Sequence, residues 1–350
     1  MGIFSCFSPR SKITRRRSRA PIALDEVSAK GMILARADRG EDDRWVKRYR
    51  WDEIEDMTRN FCKVIGVGGF STVYLACLPD YGEMAAVKVY NASERLNQVF
   101  RSELDISRRL DHPAIVKLIG YCDNREEGVL VFEYISNGTL QEKLHTSSNK
   151  EPALPWKHRM VIAHQLAQAL EYLHDRCSLH VVHGDVKSSN ILLDSKLNCK
   201  LCDFGSAKLG FSSTVMKSAN LMGSPGYIDP HFLMTGLASK KNDIYSLGII
   251  ILELITGLEA FSSKEQRMLA SIVRKSNHLD VEMVVAMADR RIIADIDMEE
   301  ATSMASLAMV CLHTLPSLRP SAADVCRLMK EKISSISFPT SSEKLTCSEF

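Results

Sequence analysis

The sequence predicts an α+β fold built in two unequal parts, and three observations predict it. Residues rich in β-formers crowd the first part, at 72–77, 84–90, 116–121 and 129–134, with one main helical stretch at 93–110. Long helical periodicities dominate the second part, at 156–174 and 242–256. Between these two helices a polar run, His183-Gly184-Asp185-Val186-Lys187-Ser188-Ser189-Asn190, is flanked by Val181-Val182 and Ile191-Leu192-Leu193. Apolar flanks of that kind pin a polar loop between two short buried strands. The 350 residues suffice for one two-lobed domain or two small ones, and 45% hydrophobic with 25% charged residues is ordinary globular composition.

The net charge of +2 says little, but its distribution is uneven. Residues 1–19 carry Arg10, Lys12, Arg15, Arg16, Arg17 and Arg19 and no acid. The chain contains no apolar run long enough to span a bilayer and no apolar signal core at its start, so it is expected to stay cytosolic. The ten cysteines are scattered without a disulfide framework, which suits a reducing compartment. Cys199 and Cys202 form a Cys-x-x-Cys with no second pair at zinc-ligand spacing, so core packing is the reading. Met1-Gly2 permits N-myristoylation, with Cys6 in place of the usual Ser or Thr and itself open to S-acylation. The basic run adds about 1 kcal/mol of attraction to anionic lipid per residue near the surface. One acyl chain binds marginally, whereas two signals anchor. The alternatives are a basic tail without structure or a nuclear address. Residues 20–45 lack a sustained period and read as a linker.

In chain order, residues 49–61 form a short amphipathic segment (Trp51, Ile54, Met57, Phe61) expected to pack on the domain as a leading helix. Next comes Gly66-Val67-Gly68-Gly69-Phe70-Ser71, in which glycines allow backbone amides to approach phosphate oxygens. A dinucleotide-binding reading requires a helix directly afterwards. Thr72, Val73, Tyr74 and the residues up to Cys77 favour a strand, so strand–loop–strand is expected. On the strand 84–90, Ala86 and Lys88 share a face. The helical stripe Leu96, Val99, Ile106, Leu110 is interrupted by Glu103. An acid in an apolar stripe and a lysine on a buried face are each costly, and pairing Lys88 with Glu103 resolves both. Ser136-Asn137-Gly138 marks a turn after the last strand. Asp185, Asn190 and the later Asp203-Phe204-Gly205 bring two carboxylates and an amide toward one place, a set that suits Mg²⁺ and a phosphoryl group.

These motifs resemble those of the protein kinases, and their wording is closest to the plant receptor-like cytoplasmic serine/threonine kinases. The polar loop looks like the family's His-Arg-Asp catalytic loop, with Gly184 where many members have Arg. Asp-Phe-Gly looks like its magnesium motif. The resemblance implies a two-lobed kinase fold, with a small β-rich N-lobe over 60–135 and a larger helical C-lobe over 136–332. It makes Asp185 the acceptor of the substrate's hydroxyl proton, with Lys187 steadying the γ-phosphoryl group. Asn190 and Asp203 hold Mg²⁺ or Mn²⁺, and Lys88 with Glu103 completes the catalytic set. ATP is expected against Gly66, Val67, Gly68, Gly69, Phe70, Ser71, Thr72, Val73 and Tyr74, against Ala86 and Lys88, and against Leu192. Phe132 limits the back of that pocket, and Glu133 and Ile135 offer backbone groups to adenine at the hinge.

The resemblance extends further along the chain. Ser206, Ser212, Ser213, Thr214, Ser218 and Ser224 form a hydroxyl-rich activation segment, and Lys187 with Ser224 follows the serine/threonine pattern. His231 stands where the family's Ala-Pro-Glu ends in Glu. That Glu normally pairs with a late Arg, here Arg319, and a His cannot reproduce a carboxylate–guanidinium fork, so the segment's stability is in doubt. Residues 242–256 are apolar nearly all round and stop at Gly257, as a buried central helix would. The expected layout is therefore 1–48 basic and acylated, 49–59 the leading helix, 60–332 the kinase domain, and 333–350 a disordered tail. The implied function is a serine/threonine protein kinase held by lipid at the cytoplasmic face of the plasma membrane, or otherwise cytoplasmic, downstream of a receptor. Its implied partners are protein substrates, a membrane receptor or another kinase, and anionic lipid of the inner leaflet, with no nucleic acid and a monomeric chain. The rival is a catalytically silent scaffold of a receptor kinase complex.

Overall fold

The computed structural model describes residues 46–79, 82–145, 152–210, 216–217, 223–275 and 278–337. The first lobe is a six-stranded sheet with one long helix. The strands are β1 (Lys47–Arg48), β2 (Val64–Val67), β3 (Ser71–Cys77), β4 (Met84–Tyr90), β5 (Leu118–Cys122) and β6 (Val129–Glu133). Their order is β1-β5-β6-β4-β3-β2. Every pairing is antiparallel except that of β1 with β5. Alternation along β4 sends Ala85 and Val87 into one core, with Val129 and Val131 of β6, and turns Ala86 and Lys88 to the other face. Helix α2 (Glu94–Ser107) buries Leu96, Phe100, Glu103 and Ser107 along one side.

The leading helix α1 spans Trp51–Met57 and buries Ile54 and Met57. Phe61 closes over it, 5.7 Å from the Trp51 ring and 5.1 Å from that of Tyr74 on β3. Strand β1 lies inside the stretch expected to be basic segment and linker. Two residues are too few to show a period, and Gly120 is what admits them. A Cβ there would meet Lys47 O and the Tyr49 ring at 2.4 Å.

The second lobe is helical. Helix α3 (Leu140–His145) precedes α4 (Trp156–Glu171), which is followed by a π-helical turn, Tyr172–Arg176. The central helix α5 (Lys240–Thr256) is boxed at its start by Ser239 and Asn242 and ends at Gly257, φ +68°. Its residues from Asp243 to Thr256 are all buried. Helices α6 (Met298–Cys311) and α7 (Ala322–Lys332) complete the packing around α4 and α5. Among the described residues no helix is long and apolar enough to cross a membrane. The fold is thus α+β and two-lobed, as expected.

The tail differs from its expectation. Residues Ser334–Ile336 form a 3-10 turn on the domain. Ser334 Oγ and the Ser335 backbone each donate to Glu300 Oε1 at 2.9 Å, and Ser335 Oγ donates to Oε2 at 2.7 Å. The buried Glu300 needs these donors, so the chain stays ordered past 333. Residues 338–350 lie outside the described set.

Candidate active site

Lys88 stands at the meeting of the two lobes. Register pairs it with Val73 of β3 and Leu130 of β6, and its ammonium points to α2. Nζ lies 2.9 Å from Glu103 Oε1, 2.8 Å from Oε2 and 2.8 Å from Asp203 Oδ1. Glu103 is fully buried, so the pair satisfies a charge that water cannot reach. Burial alone would lower the Lys88 pKa, but Glu103 and then Asp203 outweigh it and hold the ammonium well above its usual range. Burial pushes the other way on Asp203, and Lys88 keeps that carboxyl below its usual value. Asp203 adopts φ +66°, a left-handed conformation uncommon for a residue with a side chain.

The polar loop runs between β7 (His180–Val182) and β8 (Ile191–Leu193), the latter paired with β9 (Cys199–Leu201). Its backbone is anchored by a residue that the sequence reading left unassigned. Asp243, at the start of α5, accepts from the N–H of His183 and of Gly184, each at 2.9 Å, and binds His174 Nε2 at 2.8 Å. Burial raises its pKa, but the hydrogen bond and charge of His174 keep the carboxyl ionised below its usual range. A signal existed: an Asp inside a helix apolar nearly all round must have partners. The His183 ring is fully buried, packed edge-on against Phe204 at 4.9 Å.

Asp185, Lys187 and Ser224 form a triangle. Lys187 Nζ donates to Asp185 Oδ2 at 2.6 Å and to Ser224 Oγ at 2.9 Å, while Ser224 Oγ donates to Asp185 Oδ1 at 2.9 Å. Asn190 spends its Nδ2 on Asp185 O at 2.9 Å and Oδ2 at 3.3 Å, which leaves its Oδ1 as a hard oxygen ligand. Cys199 packs in the core, whereas Cys202 is half-buried with its Sγ donating to Asn190 O at 3.3 Å, and burial pushes its thiol up to about 12.

The residues fit the nucleotide and metal that the motifs imply. Among the described residues no cluster of three or more His, Cys, Asp or Glu could hold a metal alone. Mg²⁺ asks for less, one or two protein oxygens beside phosphate, which Asp203 and Asn190 could supply. A Cβ on Gly66, Gly68 or Gly69 would come no closer than 3.5 Å to any atom of the chain, so internal packing does not call for these glycines. Clearance for a ligand would. Val67 and Phe70 of the same loop are exposed, while Ser71 is buried, with Thr72, Val73 and Tyr74 following it along β3. Ala86 faces Phe132 across the β4–β6 pair, and Leu192 lies partly open between buried Ile191 and Leu193. At the hinge the Glu133 N–H already donates to Lys117 O at 3.0 Å, so its carbonyl is what remains for a ligand. Ile135 is 9% exposed.

The doubt raised by His231 is removed. Arg319 is forked by Asp229, two residues earlier, with Nη1–Oδ2 at 2.6 Å and Nη2–Oδ1 at 2.8 Å. Asp229 also caps the helix Pro230–Thr235 through the His231 N–H and accepts from Asn242 Nδ2 at 2.8 Å. Gly184 has φ +78°, and a Cβ there would lie 3.0 Å from Ser206 O. Ser212, Ser213, Thr214 and Ser218, like Gly2, Cys6 and the basic run, lie outside the described residues.

Residues 59–329 match the family model for the protein kinase domain. The chain is 47% identical over 306 residues to a probable receptor-like protein kinase of Arabidopsis thaliana, covering 82% of this chain and 89% of that one. It is 49% identical over 297 residues to the salt tolerance receptor-like cytoplasmic kinase 1 of Oryza sativa subsp. japonica, covering 83% and 81%. A probable serine/threonine-protein kinase of Arabidopsis thaliana is 36% identical over 321 residues, with 90% and 85% covered. With a match across most of its length and relatives aligned over four fifths or more of both chains, the chain belongs to the protein kinase family.

Proposed function

We propose that this chain is a serine/threonine kinase working from the cytoplasmic face of the plasma membrane, downstream of a receptor. The observation that carries the catalytic reading is the Lys88 ammonium, shared between Glu103 of one lobe and Asp203 of the other. ATP supplies the phosphoryl group, and Mg²⁺ or Mn²⁺ neutralises charge on its oxygens. Asp203 and Asn190 would hold the metal. Lys88 binds phosphate oxygens, and the glycine loop covers them. Asp185 takes the proton of the acceptor hydroxyl. Its Oδ1 carries a single donor, Ser224, and so keeps a lone pair for that proton. Lys187, already on Oδ2, is placed to meet the transferring phosphoryl group. The Lys187–Ser224 bond supports Ser/Thr as the acceptor, as does the name of the serine/threonine-protein kinase relative.

The silent-scaffold reading drew on His231, and the Asp229–Arg319 fork takes that support away. Relatives named receptor-like support a receptor as partner. Gly2 and Cys6 with the six basic residues that follow support dual acylation and attraction to anionic lipid. Purified full-length protein with labelled ATP and Mg²⁺ should label itself or a generic substrate on Ser or Thr. Lys88→Met, Asp185→Asn and Asp203→Asn should each abolish labelling and keep the wild-type circular dichroism. Equal labelling by all four proteins would sink the kinase reading. A fluorescent fusion should lie at the plasma membrane and leave it on Gly2→Ala; a variant that stays put excludes acylation as the anchor.

A further inference from the structure

Tyr90 ends β4, two residues beyond Lys88, and the strand period puts both side chains on one face. Its ring is 2% exposed and packs edge-on against Phe100 of α2, with centroids 5.8 Å apart. Lys88 Nζ lies 5.1 Å from the ring centroid. The Tyr90 N–H donates to Gly128 O at 2.9 Å. Gly128 sits so close over Phe100 that a Cβ would meet its ring at 2.2 Å. The tyrosine is thus clamped, and its hydroxyl donates to Glu103 Oε2.

An ammonium has three N–H donors. Those of Lys88 are all committed, to Glu103 Oε1, Glu103 Oε2 and Asp203 Oδ1. A phosphate oxygen can be met only by withdrawing one of them from a carboxylate. Glu103 is 0% exposed, so water cannot replace a donor it loses, and a bare buried carboxylate oxygen is costly. Of its two oxygens, Oε2 has the second donor in Tyr90. We infer that Tyr90 is a positioning residue: its hydroxyl satisfies Glu103 Oε2, so that Lys88 turns one N–H to a nucleotide phosphate while Oε1 still ties α2 to the strand. This rests on the reading of Lys88 as a phosphate ligand. Neither the lysine motif nor the helix stripe announces it, because a tyrosine at a strand end ordinarily reads as core.

The test is Tyr90→Phe in the full chain, which removes one oxygen and keeps the clamped ring. ATP affinity is measured by titration calorimetry with Mg²⁺, beside kcat and KM for ATP and the unfolding midpoint. The expected result is roughly tenfold weaker ATP binding, a similar rise in KM and a far smaller change in kcat. In a Lys88→Met background the same change should leave ATP affinity within about twofold, because the hydroxyl acts through Lys88. A lowered midpoint with unchanged Kd and KM would make Tyr90 a packing residue and overturn the inference. A tenfold loss that persists on Lys88→Met would overturn it too. Wild type that binds ATP without transferring phosphoryl defeats the kinase reading alone, and the affinities still decide on Tyr90. Wild type that binds no ATP overturns both.

Discussion

Lys88–Glu103 and Arg319–Asp229 are both cation–carboxylate pairs hidden from water, yet they are built to different ends. Arg319 and Asp229 are 1% and 0% exposed and joined by a two-bond fork. The guanidinium's further donors go to His313 O at 2.8 Å and Lys241 O at 2.9 Å. A planar fork held on several sides has one geometry and no reason to leave it. Lys88 is a point charge on a flexible stem, 12% exposed, and its third bond goes to an Asp203 that is 44% exposed. One pair is closed and holds the end of the activation segment. The other lies at the cleft and has a second donor, Tyr90, on the Glu103 oxygen that Lys88 would release, which is what a group that must exchange partners requires.

The largest expected effect comes from breaking the open pair. Lys88→Met should lower phosphoryl transfer by about 10²–10³-fold or more. The unfolding midpoint should fall too, because Glu103 Oε1 loses its donor where water cannot reach it, but the fall is limited because Tyr90 still donates to Oε2. Steady-state labelling beside calorimetry checks both halves. A lowered midpoint with phosphoryl transfer close to wild type would mean that the open pair is structural after all.

Breaking the closed pair should cost stability more than transfer. Asp229→Ala strands a buried guanidinium and removes the cap of the helix Pro230–Thr235, at a cost of about 3–5 kcal/mol. For a domain of this size that is about 6–15 °C in midpoint. Phosphoryl transfer measured well below the new midpoint should survive in part. Gly184→Ala should fall between the two. A side chain at φ +78°, with its Cβ 3.0 Å from Ser206 O, costs about 1–2 kcal/mol. Because Asp243 clamps the neighbouring N–H groups, the strain should reach Asp185 and lower kcat more than KM. A variant with wild-type midpoint and kcat would show that the loop does not need its glycine.

The two pairs were not equally legible. Lys88 and Glu103 lie fifteen residues apart on elements with clear periods, and each is an anomaly that only the other resolves. Strand β4 matches its expected bounds to the residue, since alternation and β-formers agree over 84–90. Asp229 and Arg319 are ninety residues apart, and nothing in a turn sequence says which of two neighbouring side chains will reach a distant arginine. Position 231 drew the reading because of its motif, and the acid two residues upstream passed as a turn former. Strand β1 escaped because two residues carry no period. The ordered turn after 333 escaped because serines read as solvent-loving until a buried carboxylate is seen to need them.

The smallest expected effect is also the sharpest test of the closed pair. If Asp229 has taken over the guanidinium, then position 231 is released from the duty that a Glu would have there. His231→Glu restores the carboxylate that the family's motif carries, but it should find Arg319 already forked, with Nε and the second N–H of Nη1 on backbone carbonyls. The new acid would enter the first turn of the helix Pro230–Thr235, where the helix dipole favours negative charge by about 0.3–1 kcal/mol. Repulsion from Asp229 beside it opposes that gain. The net change in midpoint should stay within about 2 °C, and kcat within about twofold. The paired variant decides the matter. Asp229→Ala with His231→Glu should regain part of the stability lost by Asp229→Ala alone, because the late arginine then has a carboxylate within one helical turn. No regain at all would mean that the fork is specific to position 229 and that the two sites are not interchangeable.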